Sequence, residues 1–463
     1  MSDATTSTPE LDRSQPPPTG ALRPYHFPTL ERRTLPNGLR IVVCETRRFP
    51  VATLDLLLPA GAMAEADEVA GVASLTSGLL ESGAGGRSAA EIAVAVDELG
   101  LSLDSGISWD ITQAGFTCLT SRLDAGAAIL ADIVRRPDFP EHEVDRLRGQ
   151  RLSTLAQNRA DPSTLANEVA LRSVYGPGVY GRPVGGGAGT VAGITRADVQ
   201  AFHDARFLPA GATLVAAGDV SVDEVAELAE RHFGDWTGAP EPVRPLEVRT
   251  RESGIRIVVA HQAGWVQSAL RVAHDGPARS TPDYFALQVM NAILGGMFSS
   301  RLNMNLRERL GYTYGASSSF TMRRDGGPFA MATSVQTEVT AHAIQEMLAD
   351  MRGMLDGHVT PKELADARTY LAGVFPIQVQ TTDGVSAKLA TLVTHGLPDD
   401  YWDHYREGIM DVTADDVLTV ARRWLRPDAA TIVVAGDADK VADPLRELGL
   451  GEVEVMDPAT ELP

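Results

Sequence analysis

Two patterns of apolar residues alternate along the chain. LRIVVC (39–44) and VATLDLLL (51–58) are short and nearly continuous, as strands buried on both faces are. RSAAEIAVAVDELG (87–100) instead spaces its apolar residues by three and four, the period of a helix with one face on a core. GVASLTSGLLESG (71–83) is of the second kind. Its stripe is Val72, Leu75 and Leu79, while Ser74, Ser77 and Gly78 stand at i, i+3 and i+4 on another face. Side chains at that spacing converge on one point, yet two hydroxyls and a glycine supply no acid, no base and no tight metal ligand.

The pattern occurs twice. NGLRIVV at 37–43 returns as SGIRIVV at 253–259, and TRADVQAFHDARFLPAGATLVAAGD (195–219) returns as TADDVLTVARRWLRPDAATIVVAGD (413–437). A period this long means two similar domains and not a solenoid. Residues 1–24 read as a polar, Pro-rich disordered tail, 25–234 as the first domain, 235–252 as a linker and 253–463 as the second domain. Each half opens on a β-rich run and continues through helices to a further strand, DITQAGFTCLT or GPFAMATSVQT. A long helical region follows. A helix capped by Thr195 or Thr413 and a closing strand ended by Gly-Asp complete the half. The expected class is α+β: two homologous domains, each a mainly antiparallel sheet covered by helices.

Composition narrows the function. The 463 residues hold 41 Lys and Arg against 61 Asp and Glu, a formal charge of −20 that argues against nucleic acid and anionic membrane surfaces as partners. No run of 18 apolar residues spans a membrane, and the first residues lack the apolar core of a signal peptide, so the cytoplasm is the expected location. Cys44 and Cys118 sit in apolar runs as buried thiols, too few for a disulfide framework. No two of the ten histidines stand three or four apart, so no helix presents a His pair for zinc. GGGAG (185–189) lacks the spacing of a dinucleotide or phosphate loop and reads as a flexible or tight loop.

One constellation remains, SSRLNMNLRERLGYTYGASSSF (299–320). Leu302, Leu306 and Leu310 predict a helix that Gly311 stops, followed by a strand with Tyr312 and Tyr314 on one face. Arg307 near the helix end and Tyr314 beyond the stop would together offer a guanidinium fork and a phenol O–H to a carbonyl oxygen gathering charge.

LPNGLRIVV, LLPAGAMAE, RSAAEIAVAVDELG, DPSTLANEVALRSVYGPGVYGRPV, LRERLGYTYG and LPDDYWDHYREGI together resemble the pitrilysin/insulinase-like zinc metallopeptidases of the mitochondrial-processing-peptidase type, from about Leu35 to Gly436. The resemblance implies a duplicated α+β fold. Catalytic members carry an inverted H-x-x-E-H motif, two zinc-binding histidines and a glutamate base, with a further glutamate ligand on a later helix. The matching positions here are Ser74, Ser77, Gly78 and, for the later ligand, about Thr154, so the resemblance implies an abandoned metal site with no metal bound by this chain. It also implies that Arg307 and Tyr314 are the family's Arg/Tyr pair, which acts on the substrate carbonyl across to a zinc site in another subunit. The implied protein is the zinc-less subunit of a heterodimeric metalloendopeptidase, inactive alone. Its partner would carry H-x-x-E-H and the zinc, and its substrates would be unfolded peptides, leader segments among them. The alternative is a non-catalytic structural core or peptide-binding scaffold subunit.

Overall fold

The computed structural model describes Ser14, Gly20 and residues 22–248, 250–357 and 359–462. The expected disordered tail therefore lies largely outside the described residues. The first half contains β1 (Leu30–Thr34), β2 (Arg40–Glu45), β3 (Val51–Leu58), a short hairpin of β4 (Gly83–Ala84) and β5 (Arg87–Ser88), β6 (Ser102–Ile107), β7 (Thr112–Leu119) and β8 (Thr213–Gly218). The second contains β9 (Ile255–His261), β10 (Gln267–Gly276), β11 (Ala316–Phe320), β12 (Gly327–Gln336), β13 (Thr431–Gly436) and β14 (Gly451–Met456).

Two six-stranded sheets result, ordered β1-β2-β8-β3-β7-β6 and β11-β12-β10-β13-β9-β14. Read from opposite ends the orders are the same, so the sequence repeat is a repeat of topology. In each sheet the closing strand lies between the first two strands of the repeat, parallel to one (β8 to β2, β13 to β9) and antiparallel to the other. Only the strand beyond β2 or β9 differs. β1 enters antiparallel from the N-terminal side, whereas β14 arrives from the C-terminus and runs parallel.

The continuous apolar runs follow from burial on both faces. Ile41 and Val43 face one core with Leu54, Leu56 and Leu58, while Val42, Cys44 and Leu57 face another. Thr195 and Thr413 each close a capping box, with Asp198 and Asp416 at the third helical position. Both cysteines are buried free thiols on strands. Between Gly234 and Ile255 the described residues form neither helix nor strand, but Trp236 packs into the first core.

The long helical regions hold what sequence periodicity does not reveal. Five helices of the first half position the site: α1 (Val72–Gly78), α2 (Ala89–Leu99), α3 (Leu123–Arg135), α4 (Glu141–Ala160) and α5 (Pro162–Tyr175). α5 does not lie on its own sheet. Leu165, Ala166, Val169 and Ala170 pack against Val258, Ala260, Ala269, Ala273 and Val433 of the second sheet. The matching helix of the second half, Thr382–His395, lies on β3 and β8 of the first. Each lent helix meets a buried charge at the same register of the receiving sheet. Asp55 pairs with Gly115 and Val215, and Arg271 with Ala332 and Val433. Asp55 accepts a hydrogen bond from the Ser386 hydroxyl. Arg271 donates from Nε to Asn167 Oδ1 (2.6 Å) and from Nη2 to the Ser163 carbonyl (3.0 Å). An unpaired charge there would be costly, so each sheet demands the other half's helix.

His274 on β10 gives the fold a pH dependence. It stacks on Phe329 at 4.8 Å, bonds the Asp275 carbonyl through Nδ1 (2.6 Å) and accepts the Arg426 backbone N–H at Nε2 (3.4 Å). Burial, helped by the Arg426 charge, lowers its pKa from 6.5 to about 4. The unfolded chain therefore takes up the proton first as pH falls. Stability from this group is complete above pH 6.5 and is lost between 6.5 and about 4, on the order of 3 kcal/mol. Urea melts should show the loss, and His274→Asn should be weaker at pH 7 but flatter in its pH profile.

Candidate functional site

α1 is built as a buried strut. Val72, Leu75 and Leu79 are buried as their spacing predicts. Its N-terminus begins after Gly71, whose φ of 104° is a left-handed conformation suited to glycine. The Glu65 carboxylate accepts the N–H groups of Gly71 (3.0 Å) and Ala73 (3.1 Å) and pairs with Arg182 (3.1 Å). Of the two loop readings its sequence allows, flexible or tight, the glycine-rich segment is the tight one, tied down by side-chain bonds. Arg151 on α4 donates to the Gly185 carbonyl at 3.1 Å, and Thr190 donates to the Ala70 carbonyl at 2.8 Å.

The four positions matched to the zinc ligands and the base lie on α1 and α4, two helices packed together beside edge strand β6. Ser77 is buried, and its carbonyl accepts a long bond from the Ser105 hydroxyl (3.4 Å). The Thr154 hydroxyl turns back to the Gln150 carbonyl at 3.0 Å. Gly78 ends α1 and so escapes most of the penalty that a glycine carries inside a helix. A Cβ there would lie 3.0 Å from Leu147 Cδ2, so leucine from α4 crowds the place of a ligand side chain. Two carboxyls stand nearby: burial and then the Asp104 charge raise the Glu81 pKa. Among the described residues no group of three or more His, Cys, Asp or Glu gathers into a metal site. Hydroxyls and a glycine do not fit zinc, and this half offers it no ligand set.

The second half carries the expected Arg307 and Tyr314. The helix after Ser300 is wound with wide π turns over Asn303–Arg309, as is Ala292–Gly296, a winding frequent at functional sites. Leu302 and Leu306 are buried, Leu310 partly, and Gly311 stops the helix at φ 66°. The expected strand over YTYGASSSF begins only at Ala316. Of the four residues before it, three are held by side-chain bonds: the Tyr312 hydroxyl bonds His342 Nδ1 (2.8 Å), and the Thr313 hydroxyl donates to the Gly315 carbonyl (2.9 Å). Tyr312 and Tyr314 therefore do not share a strand face. Tyr314 is 98% exposed.

Arg307 lies over the exposed Phe298 ring (4.7 Å to the centroid) and pairs with Glu308 at 3.3 Å. No hydrogen bond or ion pair joins it to Tyr314, so the fold places the two at one helix end without bringing them into contact. Phe298, which props the guanidinium, was not legible as a site residue. An exposed phenylalanine in GGMFSS was its only signal. Tyr314 stands on the rim of a cleft of about 540 Å³ that also includes Ser163, Arg271 and Thr333. Arg271 was missed as well, since a lone charge inside a strand pattern does not announce which cavity it faces.

The family model described as Insulinase (Peptidase family M16) matches residues 40–186, and that described as Peptidase M16 inactive domain matches 193–371. Proteins named as uncharacterized zinc proteases are similar over most of their length. One from Mycobacterium tuberculosis is 27% identical, covering 94% of this chain and 99% of its own. One from Streptomyces coelicolor is 27% identical, covering 90% and 92%. The crystal structure of a peptidase M16 inactive domain from Pseudomonas fluorescens superposes with a TM-score of 0.83 at 25% identity, covering 88% of this chain and 98% of that one. A Helicobacter pylori protease shares the fold with a TM-score of 0.82 at 21% identity, covering 88% and 99%. The chain belongs to the pitrilysin/insulinase-like metallopeptidase family.

Proposed function

We propose that this chain is the zinc-less subunit of a two-chain metalloendopeptidase, in which a partner of the same family carries H-x-x-E-H and the metal. Arg307 and Tyr314 supply donors to the carbonyl of an unfolded peptide, leader segments of small peptides among the candidate substrates. The carrying observation is the contrast between Tyr314, 98% exposed on the rim of its cleft, and the chemically empty face of α1. A phenol that is 98% exposed, just beyond a π-wound helix, adds no buried contact to the core. It suits a role completed by another molecule.

The carbonyl oxygen of a peptide under attack gains negative charge, and a phenol O–H with a guanidinium N–H stabilises it more than the neutral ground state. The two side chains are apart in this chain alone, so the bound peptide is the element that joins them. Native mass spectrometry and zinc analysis of the complex recovered from its own host through a tag on this chain test the reading. A second polypeptide with about one zinc per pair is expected. A zinc-free monomer or homodimer would overturn it in favour of a structural or peptide-binding scaffold.

A further inference from the structure

The cleft below Tyr314 does not end at Arg271. Arg271 and Ala332 also line a second cavity of about 340 Å³, so the two spaces adjoin. Ser317 and Ser319 from β11 and Thr321 just beyond it face this second cavity at the two-residue period of a strand. Asn167 and Trp109 of the first half close its other side. Into it projects Arg323, only 4% exposed. Its guanidinium lies 3.4 Å from the Trp109 centroid and 4.4 Å from that of Tyr180, so its faces rest on two rings and its N–H edge is left for other partners. Nε and Nη1 are buried without a hydrogen bond. Asp110, whose charge acts on Arg323, accepts the Arg324 backbone N–H at 3.2 Å and makes no bond to Arg323; its second oxygen is also buried and unpaired. Burial lowers the Arg323 pKa to about 10, which leaves the group charged at neutral pH.

An unsatisfied buried guanidinium is costly, and an oxyanion with two oxygens matches its fork. We propose that this cavity holds one carboxylate of a bound peptide, its C-terminal group or an acidic side chain. The chain's own −20 charge disfavours polyanions, whereas a single carboxylate on an extended peptide brings little repulsion. Ser319 lies four residues beyond Gly315 of the Tyr314 cleft, about 13 Å along an extended chain. The carboxylate would thus sit about four residues from the carbonyl held at Tyr314. That spacing, though not the cavity itself, rests on the function proposed above.

Fluorescence anisotropy of labelled ten-residue peptides on the full chain tests the proposal. Each peptide is offered as C-terminal acid or amide, and with one internal Glu or Gln, which separates the two sources of carboxylate. One acid-bearing member should bind about tenfold more tightly than its neutral twin. Arg323→Gln should abolish that preference. Ser319→Asp, at an exposed rim position, should abolish it too by tethering a carboxylate in the cavity, and it decides the matter if Arg323→Gln fails to fold. Equal affinities within each pair, no binding of any peptide, or a preference that survives in Ser319→Asp would overturn the proposal. None of these outcomes bears on Tyr314 in turnover, which kinetics of the complex read separately.

Discussion

Tyr314→Phe in the two-chain complex should lower kcat about a hundredfold with little change in KM, as removal of one oxyanion donor does. The substitution deletes one oxygen from a side chain that is 98% exposed, so the fold should not register it. Arg307→Ala should cost a similar factor, and Arg307→Lys should recover only part of it because an ammonium lacks the guanidinium fork. Steady-state kinetics of complexes matched for zinc content provide the measurement. Unchanged turnover in both Tyr314→Phe and Arg307→Ala would remove these residues from the chemistry. A rise in KM alone would make them substrate holders that do not favour the transition state.

Leu165→Ala should destabilise the whole chain by about 2–5 kcal/mol, the cost of emptying a fully buried leucine site. What matters more is which part unfolds. Leu165 belongs to the first half by sequence but packs on the second sheet, and helix Thr382–His395 makes the reverse contact. Denaturant unfolding followed by tryptophan fluorescence and by far-UV circular dichroism should shift as one transition. Two transitions, with only one displaced, would mean that the halves fold independently despite the exchange.

The fold was largely legible from the repeat because the repeat sits in strands and caps. TLVAAGD and TIVVAGD are short apolar runs buried on both faces, and a Thr with an Asp three positions on has few uses besides capping a helix. The exchange of α5 and Thr382–His395 was not legible. Periodicity identifies an apolar face but carries no information about which sheet covers it. Asp55 and Arg271 were silent for the same reason, since a charge inside a strand reads as exposed until its partner is seen. At the site, the want of acid, base or metal ligand among Ser74, Ser77 and Gly78 on α1 is a matter of residue type and could be read directly. The irregular backbone at 312–315 could not, because two tyrosines at alternate positions are what a strand would also show. Arg323 is a contact between distant segments, with Trp109 and Tyr180 meeting it across more than a hundred residues.

The lent helices also suggest how such a chain arose. A single half, released from the other, would expose the sheet face that α5 or Thr382–His395 now covers and would strand Asp55 or Arg271 without its partner. Two copies of an ancestral half could cure that defect only by trading the equivalent helix, forming a domain-swapped homodimer. Joining the two copies end to end through the extended segment after Gly234 would make the trade intramolecular and permanent. Once fused, the copies were free to diverge at matching positions. An aspartate and an arginine now do the same structural work in opposite charge.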